Sequence, residues 1–347
     1  MRVALIGAGQ IARQHLTCLQ ALPDVELAAV CDLSAVTAEC AAEREGAKTW
    51  FTDHAAMLRE VRPDVVHITT PPTSHYRLSL DALEAGAHVI VEKPATTTLA
   101  ELEALVKRAS ELGRAFVEDY NYPYNQGPLL MLERIESGAL GAVVHVDVTM
   151  CLNILGPTGF ADPNAAHPAL TLAGGAIADF LPHLASLAQT FVGAHRQARA
   201  VWSKRQLSPL PYDEFRAVVE AERGTATLAF SSNAQPDAFW LRVYGERMLA
   251  TANLFEKRVT FERVRSGPKP LQPLLNGWEE GGTIRRAAVA TLMRKFRGGP
   301  GGYEGLFELL ARTYRALADG SALPVDSQRV LEVNRLVAAL KPEGSAA

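Results

Sequence analysis

The sequence predicts an α/β protein of two domains: a parallel βαβ domain over residues 1–120, then, over residues 121–347, an α/β domain on a large, open, mainly antiparallel sheet. Two patterns and one quantity carry this reading. The first third alternates short β-rich apolar runs with helical stretches, the signature of parallel βαβ units. After Tyr120 the runs switch to period-two alternation, which marks strands with one buried and one open face. A chain of 347 residues, 48% of them apolar, can also bury more core than one domain usually holds.

In order, strands are expected at residues 3–6, 25–31, 65–69, 89–91 and 115–118, with helices between them. Thr98 and Glu101 have the spacing of a capping box, and Gly86 and Gly113 stand where helices should stop. A helix near residues 128–137 leads to the run AVVHVDVTM, where Val144, Val146, Val148 and Met150 alternate with His145, Asp147 and Thr149. Similar strands follow at 198–204, 215–220, 225–231, 240–244, 248–253 and 258–264. Residues 265–302, rich in Pro and Gly, surround the basic stretch TIRRAAVATLMRKF, read as a solvated or subunit-facing helix. Helices from about Tyr303 and Ser327 close the chain, the last expected to pack back on the first domain.

The formal charge of −3 comes from intermixed acids and bases, so no whole-molecule field favours nucleic acid or an anionic membrane. Small molecules are the expected partners. Cys18, Cys31, Cys40 and Cys151 show neither CxxC spacing nor the density of a secreted scaffold, which points to reduced thiols and the cytoplasm. Strand-like sequence from Arg2 leaves no room for a secretory leader ahead of it. The most membrane-like window, residues 169–192, contains Asp179, Pro182 and His183 and reads as a buried helix carrying a functional pair.

In VALIGAGQIA, Gly7, Gly9 and Ala12 follow the GxGxxG/A pattern between a strand and a helix start, with Gln10 and Ile11 also assigned to cofactor binding. Gly7 permits a tight turn, Gly9 lets backbone approach a pyrophosphate, and Ala12 lets helix pack close to strand. A second strand ends in Asp32, where a carboxylate can accept hydrogen bonds from an adenosine ribose. It would repel a 2'-phosphate, which favours NAD over NADP. The competing structural reading makes Asp32 a helix cap. Ligands in such sheets lie at the carboxyl ends of strands, so Thr69, Thr70 and Pro71 after the third strand should line the cofactor, with His75 opening the next helix. His67, inside that strand, reads as a packed core histidine.

The fourth strand ends in Glu92, Lys93 and Pro94. An alcohol that loses hydride must also lose its hydroxyl proton, so a base is needed. An ordinary lysine has a pKa of roughly 10.4, which desolvation and a nearby cation would lower. Lys93 could take the proton or polarise the oxygen, aimed by a turn that Pro94 fixes, through a cis bond if one forms. Glu92 fixes a ribose or orients Lys93. In GGAIADFLPHL, Asp179 and His183 are four apart and share a helical face, as a general acid/base and its orienting carboxylate require. Pro182 should kink that helix, and Gly174 and Gly175 should leave room at its start. No metal site is expected, because no His, Cys or Asp cluster offers three closely spaced ligands along the chain.

The ordered set GAGQIA, TPPTSH, AGAHVIVEKPATTTLAE, Asn121 in YNYPY, GALG and GGAIADFLPH resembles the glucose-fructose oxidoreductase, inositol dehydrogenase and MocA (Gfo/Idh/MocA) family over essentially the whole chain. The resemblance implies a Rossmann NAD-binding domain followed by an α/β domain whose sheet mediates a homodimer or homotetramer. It also implies a sugar, cyclitol or related polyol as substrate. By position, Lys93, Asp179 and His183 match the family's catalytic residues, and Glu92, Asn121 and His75 match positions near the cofactor. Leu181 and Ser186 replace a common glycine and aspartate, and Tyr122, Pro123 and Tyr124 stand where an arginine is common. The expected function is NAD-dependent hydride transfer at a secondary alcohol, with His183 as acid/base oriented by Asp179 and Lys93 polarising the oxygen; Lys93 and His183 can exchange roles. Two rivals stay open: a glycoside hydrolase or lyase that recycles the hydride internally, and a non-catalytic NAD-binding sensor. Tyr122, Tyr124 and Trp278 are candidates for a sugar-stacking wall, with ordinary packing as the alternative.

Overall fold

The computed structural model describes residues 1–155, 159, 161, 170, 172–206, 208–296 and 303–342. Two compact units divide it: Met1–Asn121 with Gly305–Arg335, and Tyr122–Glu304 with Leu336–Ala346.

The first unit is built on six parallel strands: β1 (Arg2–Ile6), β2 (Glu26–Cys31), β3 (Thr49–Phe51), β4 (Val65–Ile68), β5 (His88–Val91) and β6 (Phe116–Glu118). Their order, β3-β2-β1-β4-β5-β6, reverses between β1 and β4, which puts a crevice for a ligand at the carboxyl ends of those two strands. Nearly every residue of β1, β2, β4 and β5 is buried, as expected when helices cover both faces of a parallel sheet. Those helices are α1 (Gln10–Gln20), α2 (Ala35–Glu45), α3 (His54–Val61), α4 (Pro72–Glu84) and α5 (Leu99–Glu111). The capping box at α5 is complete: Thr98 Oγ1 accepts from Glu101 N, and Glu101 Oε2 accepts from Thr98 N, each at 3.2 Å. Edge strand β3 escaped the sequence reading because its three residues are too few to show a period, and two of them are exposed. The strands ending before Thr69 and at Val91 are therefore fourth and fifth, not third and fourth.

In the second unit, a 3-10 turn (Tyr122–Tyr124) and α6 (Gln126–Glu136) precede β7 (Val143–Cys151), the central strand of a seven-stranded sheet. Its other strands are β8 (His195–Ser203), β9 (Glu214–Ala221), β10 (Gly224–Ser231), β11 (Ala238–Gly245), β12 (Met248–Asn253) and β13 (Arg258–Arg263), in the order β13-β12-β11-β7-β10-β9-β8. Only the β7–β10 pair is parallel. Val146, Val148 and Met150 of β7 are fully buried, and α7 (Gly175–Val192) packs on that face. All residues of α7 except Ala178 and Thr190 are buried, so the helix has no wet side. It runs as one helix through Pro182. No helix among the described residues is long and apolar enough to cross a membrane.

Helix α8 (Leu271–Phe296) corrects the expectation of a Pro- and Gly-rich connection: it begins well before the basic stretch and continues through Gly277, Gly281 and Gly282. Its first half is tied to the sheet edge, where Arg265 Nη2 lies 2.6 Å from Glu279 Oε2 and Asn276 Nδ2 donates to Arg263 O at 3.0 Å. Two helices follow, α9 (Glu304–Asp319) and α10 (Ser327–Ala339). Side chains on both hold to the first unit: Tyr314 bonds His67 at 2.8 Å, and Asn334 donates to Glu118 Oε2 at 2.6 Å.

Candidate active site

The turn after β1 is possible only with glycine at its head. Gly7 has φ +94°, and a Cβ there would lie 2.6 Å from Thr70 Cγ2 and 2.9 Å from Thr70 N. Thr69, buried, fastens this turn rather than facing outward: its Oγ1 donates to Gly7 O at 2.6 Å and Ile6 O at 3.2 Å. Around Gly9, by contrast, a Cβ would meet nothing within 4 Å. Helix α1 starts there with no side-chain cap and no acid in its first turn, where Gln10 and Ile11 sit, so its terminal N–H groups suit an approaching anion. Ala12 is fully buried. Asp32 Oδ2 accepts from Ala8 N at 2.8 Å and Oδ1 from Ser34 N at 2.9 Å, while Ser34, not Asp32, caps α2. The carboxylate is thus locked beside the glycine turn with lone pairs to spare.

At the ends of β4 and β5 the chain is cross-braced. Pro71 is exposed at the start of α4, and Thr70 Oγ1 accepts from Ser74 Oγ at 2.7 Å. His75 is buried with Nδ1 2.9 Å from Pro94 O and Nε2 2.7 Å from Thr70 O. Burial pushes its pKa below the ordinary value, against the pull of those carbonyls, so the neutral ring makes one of the two bonds at a time. The bond to Pro94 O ties the start of α4 to the segment after β5, where the Lys93–Pro94 peptide is cis, and the bond to Thr70 O ties it to the end of β4. Lys93 is half-buried. Its backbone N–H donates to Glu92 Oε2 at 3.2 Å. The Oδ1 of Asn121 is buried with no hydrogen-bond partner among the described residues, an acceptor suited to a donor from outside the chain. Together with the open side of Gly9 and the free α1 terminus, it fits a nicotinamide nucleotide.

Sequence reasoning missed the groups beneath Glu92. His15 Nε2 lies 3.1 Å from Glu92 Oε1 and 3.8 Å from Asp119 Oδ2. Burial alone would raise the Glu92 carboxyl, but the His15 bond, the His15 and Lys93 charges and the Asp119 bond outweigh it and hold it below the usual range. Asp119 goes the other way, pushed up first by burial and then by the Glu92 charge, so it carries the shared proton and donates to Glu92. Glu118, behind them, is pushed up to about 7 by burial. His15, Glu92 and Asp119 bring three ligand-type atoms within 4.8 Å of one another, so the fold assembles a cluster that spacing along the chain did not show. Hydrogen bonds already link its members. His67 is a core histidine as expected, but joined to His15 and Tyr314.

Asp179 and His183 lie in the second unit, one turn apart on α7, 5% and 7% exposed. The Tyr122 ring meets the His183 imidazole edge-on at 4.7 Å and 81°, and meets Phe239 at 4.7 Å and 74°. Tyr122 is thus a packing partner of the histidine. Trp278 is 76% exposed on α8. Of the two departures from the family pattern, Leu181 is buried and Ser186 Oγ donates to His183 O at 3.2 Å. The room expected at Gly174 is filled from within, because a Cβ there would lie 2.8 Å from Ala178 Cβ and 3.3 Å from Trp202 Cζ3.

Residues 1–120 match the Gfo/Idh/MocA description "Oxidoreductase family, NAD-binding Rossmann fold", and residues 129–250 match the C-terminal domain of the same family. The chain is 35% identical over 161 residues to D-glucoside 3-dehydrogenase of Escherichia coli K12; the match covers 46% of each, so the chain spans about half that relative's length. It is 27% identical over 300 residues to a dTDP-3,4-didehydro-2,6-dideoxy-alpha-D-glucose 3-reductase of Streptomyces violaceoruber, covering 84% of this chain and 81% of the relative. In fold it is similar to an oxidoreductase from Agrobacterium radiobacter in complex with NAD+, L-tartaric acid and magnesium, with TM-score 0.79 and 16% identity over 98% of this chain and 95% of the other. On the two domain matches, in their expected order along one chain, the protein belongs to the Gfo/Idh/MocA oxidoreductase family.

Proposed function

We propose that the protein is an NAD-dependent dehydrogenase or reductase acting on a secondary ring hydroxyl of a sugar, cyclitol or related polyol. The observation that carries this reading is the pairing of a nucleotide-type turn, Gly7, Gly9 and Ala12 with Asp32 locked beside it, with a lysine braced at the end of β5. NAD, held at the Gly7–Gly9 turn and Asp32, would supply the acceptor for the hydride of the carbon that bears the hydroxyl. The chain's residues then handle the proton. His183, oriented by Asp179, accepts it from the hydroxyl oxygen, and Lys93 stabilises the negative charge that grows on that oxygen as the bond to hydrogen breaks. In the reverse direction the same groups return the proton to the ketone oxygen. Either group can fill the base role.

Asp32 sets the preference for NAD, because a fixed carboxylate accepts ribose hydroxyls and repels a 2'-phosphate. The names of the two relatives place their chemistry at position 3 of a sugar, so glucosides and nucleotide-linked hexoses are the first compounds to test. The experiment is a screen of purified protein with NAD against glucosides, free sugars, sugar acids, nucleotide sugars and inositols, followed by the absorbance of the reduced nicotinamide. Turnover with at least one ring polyol is expected. Tight NAD binding with no turnover across the panel would favour a sensor instead.

A further inference from the structure

Helix α8 carries an apolar stripe that its own sheet does not cover. Along one face, Asn276 and Glu279 tie the helix to Arg263 and Arg265 beside β13. Another face holds Leu271, Leu274, Leu275, Trp278, Val289, Leu292 and Met293 at helical spacing, each 46% to 76% exposed. The stripe runs for about 33 Å along the helix, at 1.5 Å per residue. A single soluble chain seldom leaves so many large apolar side chains open together, so the stripe marks an interaction surface.

Three features of the stripe say what covers it. The first is its symmetry about Gly282: Trp278 and Arg286 stand four residues either side of it, Leu275 and Val289 seven, and Leu271 and Met293 eleven. Four, seven and eleven residues are close to one, two and three helical turns, so each of these positions lies on the face of Gly282. A second α8 laid antiparallel on the first, about a two-fold axis at Gly282, meets an apolar residue wherever it presents one at seven or eleven residues.

The second feature is the glycine itself. Glycine inside a helix is less stable than alanine, and a Cβ on Gly281 would meet nothing within 4 Å, while one on Gly282 would meet only Arg286 Nη2 at 3.6 Å. Among the described residues, no neighbour calls for glycine at either place. Close approach of another backbone at the centre of the stripe does. The third feature is charge: Glu279 and Glu280 precede Gly282 and the exposed Arg285 and Arg286 follow it. Antiparallel copies oppose unlike charges, and parallel copies oppose like ones. A lipid surface needs neither the glycine nor the symmetry, and it would receive Arg285 and Arg286 within the apolar stripe.

We propose that α8 is a self-association surface, on which two copies of the chain pair these helices antiparallel about Gly282, in an interface separate from the open face of the sheet. A two-fold contact of this kind uses the same patch on both copies. Leu275 packs against Val289 of the partner subunit and Leu271 against Met293 of the partner subunit. The Trp278 ring lies under the guanidinium of Arg286 of the partner subunit, an arrangement that favours a cation over an aromatic face.

The test is sedimentation velocity on the full-length protein across a concentration series, comparing wild type with Leu275→Glu/Val289→Glu. Both positions are exposed, so the double variant should keep the wild-type far-ultraviolet circular dichroism. Wild type should reach twice the mass of the variant at concentrations where the variant stays at half. Gly282→Ala should raise the melting temperature of the dilute protein, because alanine is the better helix former, yet weaken association by about tenfold by crowding the axis. The register has its own readout, in a background where the exposed Cys40 is replaced by serine. Leu275→Cys mixed with Val289→Cys should form a mixed disulfide under mild oxidation much faster than either forms with Ala288→Cys, which lies off the stripe. Equal masses for wild type and the double variant would overturn the proposal, as would a mixed disulfide no faster than the Ala288→Cys control. Stripe-dependent flotation of wild type with phosphatidylglycerol vesicles, without stripe-dependent mass, would overturn it in favour of a membrane surface.

Discussion

The two groups assigned to the chemistry are held in opposite ways. Lys93 stands on a polar lattice, with Glu92, His15, Asp119 and His75 braced by hydrogen bonds from α1, α4, β4 and the ends of β5 and β6. Asp179 and His183 ride on one helix buried on every side, and aromatic rings from Tyr122 and Phe180 set the imidazole's place. Charge and proton positions therefore bear most on the first group, and ring packing surrounds the second. Substitutions in the two regions should leave different marks.

The largest effects are expected where a group touches the reacting hydroxyl. His183→Ala and Lys93→Ala should each lower turnover by about 10²–10⁴-fold, with NAD affinity changed by less than about threefold, in steady-state kinetics and nucleotide titration. Full activity in both variants would dissolve the comparison. Next comes Gly7→Ala, which combines the strain of φ +94° with a clash against the Thr70 backbone. It should destabilise the protein by about 1–3 kcal/mol in urea unfolding and abolish measurable NAD binding, an effect no substitution on α7 should share. Asp32→Ala should narrow the preference for NAD over NADP by about tenfold, worth about 1.4 kcal/mol, because the 2'-phosphate no longer meets a fixed carboxylate.

A smaller, pH-dependent effect separates the polar region from the apolar one. Burial, and after it the His15 charge, holds the His67 imidazole well below its ordinary value of 6.5. The unfolded chain takes up that proton as pH falls through about 6.5 and the folded chain does not, so His67 subtracts stability on the acid side. Whatever His67→Val costs near pH 8, the gap to wild type should narrow by about 1 kcal/mol near pH 5.5, where Leu184→Ala on α7 should show the same loss at both pH values. A constant gap for His67→Val would mean that the folded protein protonates this ring.

Most of the framework was legible because it rests on local rules. The glycine turn, the strand ends at Asp32 and Glu92, the capping box and the alternating strands each show within a few residues. What escaped lacks a local signal. Strand β3 has three residues, and α8 contains glycines that usually end helices but here are carried by packing on β13. Of the polar lattice, Glu92 and His67 were noticed singly, yet His15, Asp119 and Tyr314 were not, since His67 and Tyr314 are 247 residues apart and only the return of α9 to the first unit joins them. Tyr122 was noticed as a candidate sugar platform, and its role against His183 appears only when the turn after Asn121 is folded.

The most direct test of the central claim compares the amounts of reduced nicotinamide and of ketosugar formed from a glucoside that the screen identifies, in wild type and in His183→Ala. Hydride transfer at a ring alcohol predicts equal, steadily rising amounts of both in wild type and almost none in the variant. Release of the aglycone with no accumulation of reduced nicotinamide would contradict it and assign the chain to glycoside cleavage with internal hydride recycling.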